Sequence, residues 1–337
     1  MKITYKYFEL ALKYPFTIAK FSRTSTPLIL LEINYEGFIG LGEASMVPYL
    51  GESFLTATAF LKKVDLSAFS YPFNMDEIMA YLDNLALGQP AIKAAIDIAI
   101  HDLSGKIAQQ PCYQFFGSTP NKMPYTTFTI GIDEPDVIIK KVQDALADDF
   151  KLLKIKLGRD TDKLLIKTIR SVTNLPLYVD ANQGWTDKHQ GLEMAHWLKE
   201  QGVLLIEQPM PKEDIEGNAW LTAHSPIPTV GDEAVQRLPD VAKAKGVYHG
   251  INIKLMKSSG MHEAFNMIKA AKANNLKTLI GCMSETSIAT LAGVALAPLC
   301  DWADLDGPFL TSNNPYQTPK FIGGKYVLED KAGLGIS

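Results

Sequence analysis

A chain of 337 residues, 47% of them hydrophobic and 21% charged, has material for a large buried core and more length than one small domain needs. A formal net charge of -4, with no run of lysine or arginine, speaks against a nucleic-acid surface. Three cysteines (Cys112, Cys282 and Cys300) leave an odd count without a CxxC pair, which argues against a disulfide framework or a zinc site and suits a reducing, cytoplasmic setting. The longest apolar run, residues 288–300, is too short to span a bilayer, and Glu9 interrupts any signal-like core, so neither export nor a membrane partner is expected.

Residues 1–13 alternate polar and apolar, as a half-buried edge strand does. A polar segment over 14–27 holds Lys20, Ser22, Arg23 and Thr24. Residues 28–35 and 38–43 predict a hairpin turning at Glu36-Gly37. Gly40 and Gly42 lack the third glycine and the helix of a dinucleotide fingerprint, so they read as strand glycines that another backbone approaches closely. Helical patterning covers 54–64, 76–87 and, most strongly, 91–107. There Ile92, Ala95, Ile96, Ala99, Ile100 and Leu103 share a face behind Pro90. His101-Asp102 lies within that helix and reads as structural. Residues 1–120 thus form an α+β capping domain.

From residue 123 onward strands and helices alternate. Short apolar strands are expected at 125–132, 151–157, 177–181, 203–207, 229–231, 250–255, 277–282 and 303–305, with a helix in each of the seven intervals. The fold class is α/β, a modified (β/α)7β TIM barrel over residues 121–307. Residues 308–337, rich in Pro, Asn and Gly and with one strand at 325–329, form a tail expected to return to the capping domain.

Successive strands end on a charged residue: Lys156, Asp180, Glu207, Asp232 and Lys254, at intervals of 24, 27, 25 and 22 residues, then Asp304 with Asp306. Each interval fits one βα unit, and polar residues at strand C-termini are where such barrels build active sites. One carboxylate at a strand end reads as a helix cap or surface ion pair. Three on consecutive strands repel one another and call for a cation. Oxygen ligands with positions left open suit Mg²⁺, with Mn²⁺ as a substitute, and leave room for a substrate carboxylate. Lys156 precedes the carboxylates and Lys254 follows them, so the two face each other across the metal as acid and base. Lys154, on the same face of its strand as Lys156, either neutralises carboxylates or stabilises growing charge. Deprotonation beside a carboxylate gives an enediolate, and one base on each face gives inversion at that carbon.

These residues resemble the enolase superfamily, in particular its muconate-lactonizing-enzyme subgroup. The signature there is Lys-x-Lys on the second barrel strand, Asp, Glu and Asp on the next three, and Lys on the sixth. It is matched by Lys154-Ile-Lys156, Asp180, Glu207, Asp232 and Lys254. The likeness covers essentially the whole chain, including the capping domain and a GLGI ending at 333–336. Asp304-Leu-Asp306 resembles the Asp-x-Asp with which dipeptide epimerases hold a substrate ammonium. Arg23 resembles the arginine that Ala-Glu epimerases use on the glutamate side chain; an exposed loop arginine is the plain alternative. The resemblance further implies that Thr129, Cys282, Met283 and Ser284 line the pocket and that Asn182 and Glu233 orient ligands and bases. The expected activity is a Mg²⁺-dependent epimerisation of L-Ala-D/L-Glu from peptidoglycan peptides. Alternatives in the same subgroup are o-succinylbenzoate synthase, muconate cycloisomerase and N-acylamino acid racemase, or a metal-binding relative without catalysis. A small dipeptide is the expected partner, and a homo-oligomer is compatible with the sequence.

Overall fold

The computed structural model describes residues 1–18 and 21–336; Lys20 lies outside the described residues. The chain opens with an antiparallel sheet in the order β1 (Lys2–Thr17), β2 (Ser22–Tyr35), β3 (Phe38–Ser45). The segment expected as a polar loop is instead the far end of the β1–β2 hairpin. Pairing skips from Ala11 to Phe16 and resumes at Phe16↔Arg23 and Thr17↔Ser22. Next to it β1 meets the barrel, where Ile132 N–H donates to Thr17 O at 3.0 Å and Arg159 Nη2 to Ile18 O at 3.0 Å.

Helices α1 (Phe54–Leu61), α2 (Met75–Leu85) and α3 (Pro90–Ala108) complete this layer, followed by the short α4 (Cys112–Phe115). α3 is buried on nearly every side, because β3 packs on one face of it and barrel helices on the other. Gly40 and Gly42 let β3 lie directly on the α3 backbone. A Cβ on Gly42 would stand 1.9 Å from Ala95 O, and one on Gly40 would stand 2.0 Å from Ala99 O. The close approach expected of these glycines is therefore a contact with α3. Asp102 is structural: its carboxylate accepts Leu41 N–H at 2.8 Å, Leu334 N–H at 2.8 Å and Lys106 Nζ at 2.6 Å. It thereby ties the sheet, α3 and the C-terminal tail together.

Eight parallel strands follow: β4 (Phe128–Ile130), β5 (Leu153–Lys156), β6 (Leu177–Asp180), β7 (Val203–Glu207), β8 (Thr229–Gly231), β9 (Gly250–Lys254), β10 (Lys277–Gly281) and β11 (Trp302–Asp304). They pair in chain order. The ring closes where Thr126 bridges Ala303 and Leu305 N–H donates to Thr126 Oγ1 at 2.7 Å. The seven intervals hold α5 (Pro135–Ala147), α6 (Asp162–Arg170), α7 (Lys188–Glu200), α8 (Ile215–His224), α9 (Leu238–Ala244), α10 (Met261–Ala273) and α11 (Ser287–Leu296). After β11 a single turn, α12 (Gly307–Leu310), stands where an eighth barrel helix would begin. One apolar cluster is continuous from β2 through α3 to β9, α10 and α11, so cap and barrel share core.

The tail ends beside the cap, where Cys112 N–H donates to Gly333 O at 2.8 Å and Gly333 N–H to Gln110 O at 2.9 Å. The strand expected at 325–329 is shorter, a two-residue pairing of β12 (Phe321–Ile322) with β13 (Lys325–Tyr326). Among the described residues no helix is long and apolar enough to cross a membrane.

The β3–α3 contact generates a stability prediction. Gly42→Ala forces a methyl into the Ala95 carbonyl and should cost roughly 1–3 kcal/mol, the usual range for overpacking. Urea denaturation would show this as a lower midpoint with the slope unchanged.

Candidate active site

Strand register decides which side chains meet. Lys156 pairs with Asp180 and Asp180 with Glu207, so these three stand side by side on β5, β6 and β7. On the other side of the ring Lys254 pairs with Gly281 and Gly281 with Asp304. β5 and β9 are four strands apart in a closed ring of eight, so Lys156 and Lys254 enter from opposite sides. Lys156 Nζ donates to Asp180 Oδ2 at 2.6 Å, and Lys254 Nζ donates to Asp232 Oδ2 at 2.6 Å. Lys154 Nζ lies between the two halves, 2.7 Å from Glu207 Oε2 and 2.7 Å from Asp304 Oδ2.

One oxygen from each of Asp180, Glu207 and Asp232 lies within 4.8 Å of the others. Oxygens on a Mg²⁺-sized ion stand about 3 Å apart when adjacent and about 4.2 Å apart when opposite, so seating one draws the three oxygens toward a common centre. All three are buried. Glu207 Oε2 accepts no hydrogen bond, although Lys154 stands close to it. Burial, then the Asp180 charge, pushes the Glu207 carboxyl up to about 7. Burial also works against ionised Asp180, yet Lys156 and Lys154 hold its carboxyl below the usual range. Burial would strip the proton from Lys154, but Asp304 and Glu207 keep its ammonium charged, well above the ordinary lysine range. Lys254 behaves likewise through Asp232. The trio fits a divalent cation.

A cavity of about 420 Å³ opens over these groups, a size suited to a small-molecule substrate. Lys154, Lys156 and Lys254 line it, as do Thr129, Cys282, Met283 and Ser284. Asp304 and Asp306 line the side toward β4, although only Asp304 lies on the strand; Asp306 stands at the N-terminus of α12. Asp306 Oδ2 accepts Thr129 N–H at 2.6 Å, and Asp304 Oδ1 is bonded by Thr127 Oγ1. Burial first, and Asp304 second, raise the Asp306 carboxyl to about 7. Asn182 and Glu233 also reach the cavity. Asn182 holds Asp180 through its backbone N–H, 2.9 Å from Oδ1, rather than through its side chain. Its φ of +45° is a conformation that asparagine tolerates better than most residues. Glu233 Oε2 has no partner and hydrogen-bonds to none of the lysines.

The cap supplies the remaining wall. Arg23, on β2, donates from Nη2 to Ser284 Oγ at 2.9 Å and lies over the rings of Phe16 and Phe21. Among the described residues it forms no ion pair, and its Nε has no partner. Burial lowers its guanidinium to about 10. The loop bearing Cys282, Met283 and Ser284 is held from the cap as well. Ser45 Oγ donates to Ser284 O at 2.7 Å, and Glu43 accepts Thr286 N–H at 2.8 Å.

Sequence reasoning missed several of these groups. Phe16, Phe21 and Tyr49 line the cavity. Asn252 Nδ2 donates to Glu207 Oε1 at 2.8 Å, and the buried Lys257 donates to Asp232 Oδ1 at 2.6 Å. The available signal was weak: a polar residue inside the strand INIKL, and a second lysine three residues after Lys254.

A closed β/α ring, a cap over its C-terminal mouth and a Lys/Asp/Glu/Asp/Lys succession define the class. The chain belongs to the mandelate racemase / muconate lactonizing enzyme family of the enolase superfamily. That family's N-terminal domain model matches residues 2–117, and the enolase C-terminal domain-like model matches residues 137–337. It is an isomerase of the racemase and epimerase type. The L-Ala-D/L-Glu epimerase of Bacteroides thetaiotaomicron is 51% identical over 336 residues, 100% of this chain and 88% of that one. The dipeptide epimerase of Enterococcus faecalis, solved with Mg and L-Leu-L-Tyr, superposes with a TM-score of 0.90 at 32% identity, over 99% of this chain and 98% of that one. A substrate-liganded L-Ala-D/L-Glu epimerase from Bacillus subtilis gives a TM-score of 0.92 at 25% identity, over 100% and 98% of the two chains.

Lys154 touches both halves of the site, at 2.7 Å from Glu207 and 2.7 Å from Asp304. Lys154→Met strands buried charge on Asp180, Glu207 and Asp304, and should lower unfolding stability by about 3–5 kcal/mol. Urea unfolding in the presence of EDTA measures this; a loss below 1 kcal/mol, by the same reasoning, would show that the cluster neutralises itself in another way.

Proposed function

We propose that this isomerase is a Mg²⁺-dependent dipeptide epimerase that inverts the α-carbon of the C-terminal residue, with L-Ala-D/L-Glu as substrate. The observation that carries the reading is the placement of Lys156 and Lys254 on strands four apart in the ring, with the carboxylate trio between them. The kinship to dipeptide epimerases supports it.

Asp180, Glu207 and Asp232 would hold the ion. Bound there, Mg²⁺, or Mn²⁺ in its place, supplies Lewis-acid charge to the substrate carboxylate. Lys156 takes the α-proton from one face and Lys254 delivers one to the other; the reverse reaction exchanges their roles. The electron pair left on carbon delocalises into the adjacent carboxylate as an enediolate. The Lys154 ammonium, fixed between Glu207 and Asp304, counters that growing charge without having to reorganise. Asp304 and Asp306 receive the ammonium of the N-terminal alanine; a cation there also offsets the repulsion between the two carboxyls. Arg23, without an ion pair among the described residues and backed by Phe16 and Phe21, suits the distal carboxylate of glutamate through its two-pronged donor geometry.

Incubation of L-Ala-L-Glu with enzyme and Mg²⁺ in D₂O should place deuterium at the glutamate α-carbon, read by NMR; no uptake overturns the epimerase reading. Lys156→Ala and Lys254→Ala should each abolish exchange from one stereoisomer, and from opposite ones. Equal loss from both stereoisomers in each variant would contradict the two-face assignment. Arg23→Met should raise KM for Ala-Glu by roughly 10–100-fold, the worth of a lost charged hydrogen bond, and change Ala-Leu turnover far less.

A further inference from the structure

The three carboxylates assigned to the metal share a feature beyond their convergence: each has one oxygen committed to a fixed protein donor. Asp180 Oδ1 accepts Asn182 N–H at 2.9 Å, Glu207 Oε1 accepts Asn252 Nδ2 at 2.8 Å, and Asp232 Oδ1 accepts Lys257 Nζ at 2.6 Å. The opposite oxygens are the ones that meet the cavity lysines: Asp180 Oδ2 near Lys156, Glu207 Oε2 near Lys154 and Asp232 Oδ2 near Lys254.

The donors are held in place by their surroundings. Lys257 is fully buried, and its ammonium also reaches the backbone oxygens of Asp232, Val235 and Asn252 at 2.7, 2.9 and 2.9 Å, so it has nowhere to turn. Asn252 points inward from β9 and is buried. The neighbouring strand makes room for it, since a Cβ on Gly281 would stand 2.6 Å from Asn252 Oδ1. The donor to Asp180 is backbone and cannot rotate away.

Building on the metal reading above, we propose that Lys257, Asn252 and the Asn182 N–H restrict the trio to one oxygen per residue and so select a small octahedral dication against Ca²⁺. Mg²⁺ takes six oxygens at about 2.0–2.1 Å and retains waters readily, so three single oxygens leave it three positions for water or substrate. Ca²⁺ takes six to eight oxygens at roughly 2.3–2.6 Å and commonly gathers them by two-oxygen contact with carboxylates. Here the second oxygen of Asp232 can turn inward only by leaving the buried Lys257 ammonium without its counter-charge, and that of Glu207 only by stranding Asn252 Nδ2. Lys257 and Asn252 act through the ligands and are positioning residues.

Calorimetric titration of the full-length protein, stripped with EDTA and dialysed, against MgCl₂, MnCl₂ and CaCl₂ tests this. Wild type should bind Mg²⁺ and Mn²⁺ at least about tenfold more tightly than Ca²⁺. Asn252→Leu and Lys257→Met should each narrow that ratio by roughly tenfold, the usual scale for a group that orients a ligand. Should Lys257→Met fail to fold by circular dichroism, Asn252→Leu decides the matter. Ca²⁺ binding to wild type as tightly as Mg²⁺, or variants that weaken both ions equally as a merely structural role would, overturns the selectivity and leaves the epimerase reading standing. Wild type that binds none of the three ions overturns the metal reading itself, and this inference with it.

Discussion

Five carboxyl groups, those of Asp180, Glu207, Asp232, Asp304 and Asp306, are buried around the mouth of one barrel, and the ammoniums of Lys154, Lys156, Lys254 and Lys257 are buried among them. Charge compensation within this cluster constrains the rest of the fold, because an isolated buried charge is costly and a paired one persists only with good geometry. Good geometry here means register. Lys156, Asp180 and Glu207 face one another because β5, β6 and β7 pair residue for residue at their ends. A slip of one residue would turn each side chain to the opposite face of the sheet and leave its partner unpaired. The apolar layers of the barrel therefore serve a second purpose besides burial: they hold the strand ends at fixed heights.

The two parts of the chain contribute differently. The barrel provides the charged residues, on strand ends that are short and buried on both faces. The cap provides the wall against which a substrate side chain rests. Its hairpin carries Phe16, Phe21 and Arg23 into the cavity, while Glu43 and Ser45 anchor the loop after β10 that presents Ser284 to Arg23. Arg23 thus has one end in each part. Substitutions in the hairpin can alter which substrate is held without touching the lysines and carboxylates, a division typical of barrels whose chemistry sits on strands and whose selectivity sits on loops.

The barrel strands and helices were legible because short apolar strands alternate with amphipathic helices, and because each charged residue that ends a strand follows the last by one βα unit. The Gly40 and Gly42 contact was legible from two glycines in a strand pattern. The hairpin end was not: its polar composition resembles a loop, and its pairing is supported by tertiary contacts with Ile132, Arg159 and Ser284 that no local pattern announces. Lys257 and Asn252 escaped notice for a related reason. In sequence, a lysine in a turn after a strand looks solvated and an asparagine inside a strand looks misplaced. Both are explained only by the carboxylates that folding brings behind them. Asp306 shows the limit of periodicity. Its spacing from Asp304 suggests a second carboxylate at the same strand end, but the strand stops at Asp304 and Asp306 reaches the same cavity from the following turn.

The central claim is spatial: two amines approach one carbon from opposite faces while three acids hold an ion beside it. A crystal structure of the protein soaked with Mn²⁺ and L-Ala-L-Glu tests it most directly, with the ion located by anomalous scattering. The account predicts the ion among Asp180, Glu207 and Asp232, with Lys156 Nζ and Lys254 Nζ on opposite sides of the glutamate α-carbon. Both amines on one side of that carbon, or the ion bound elsewhere, would contradict it.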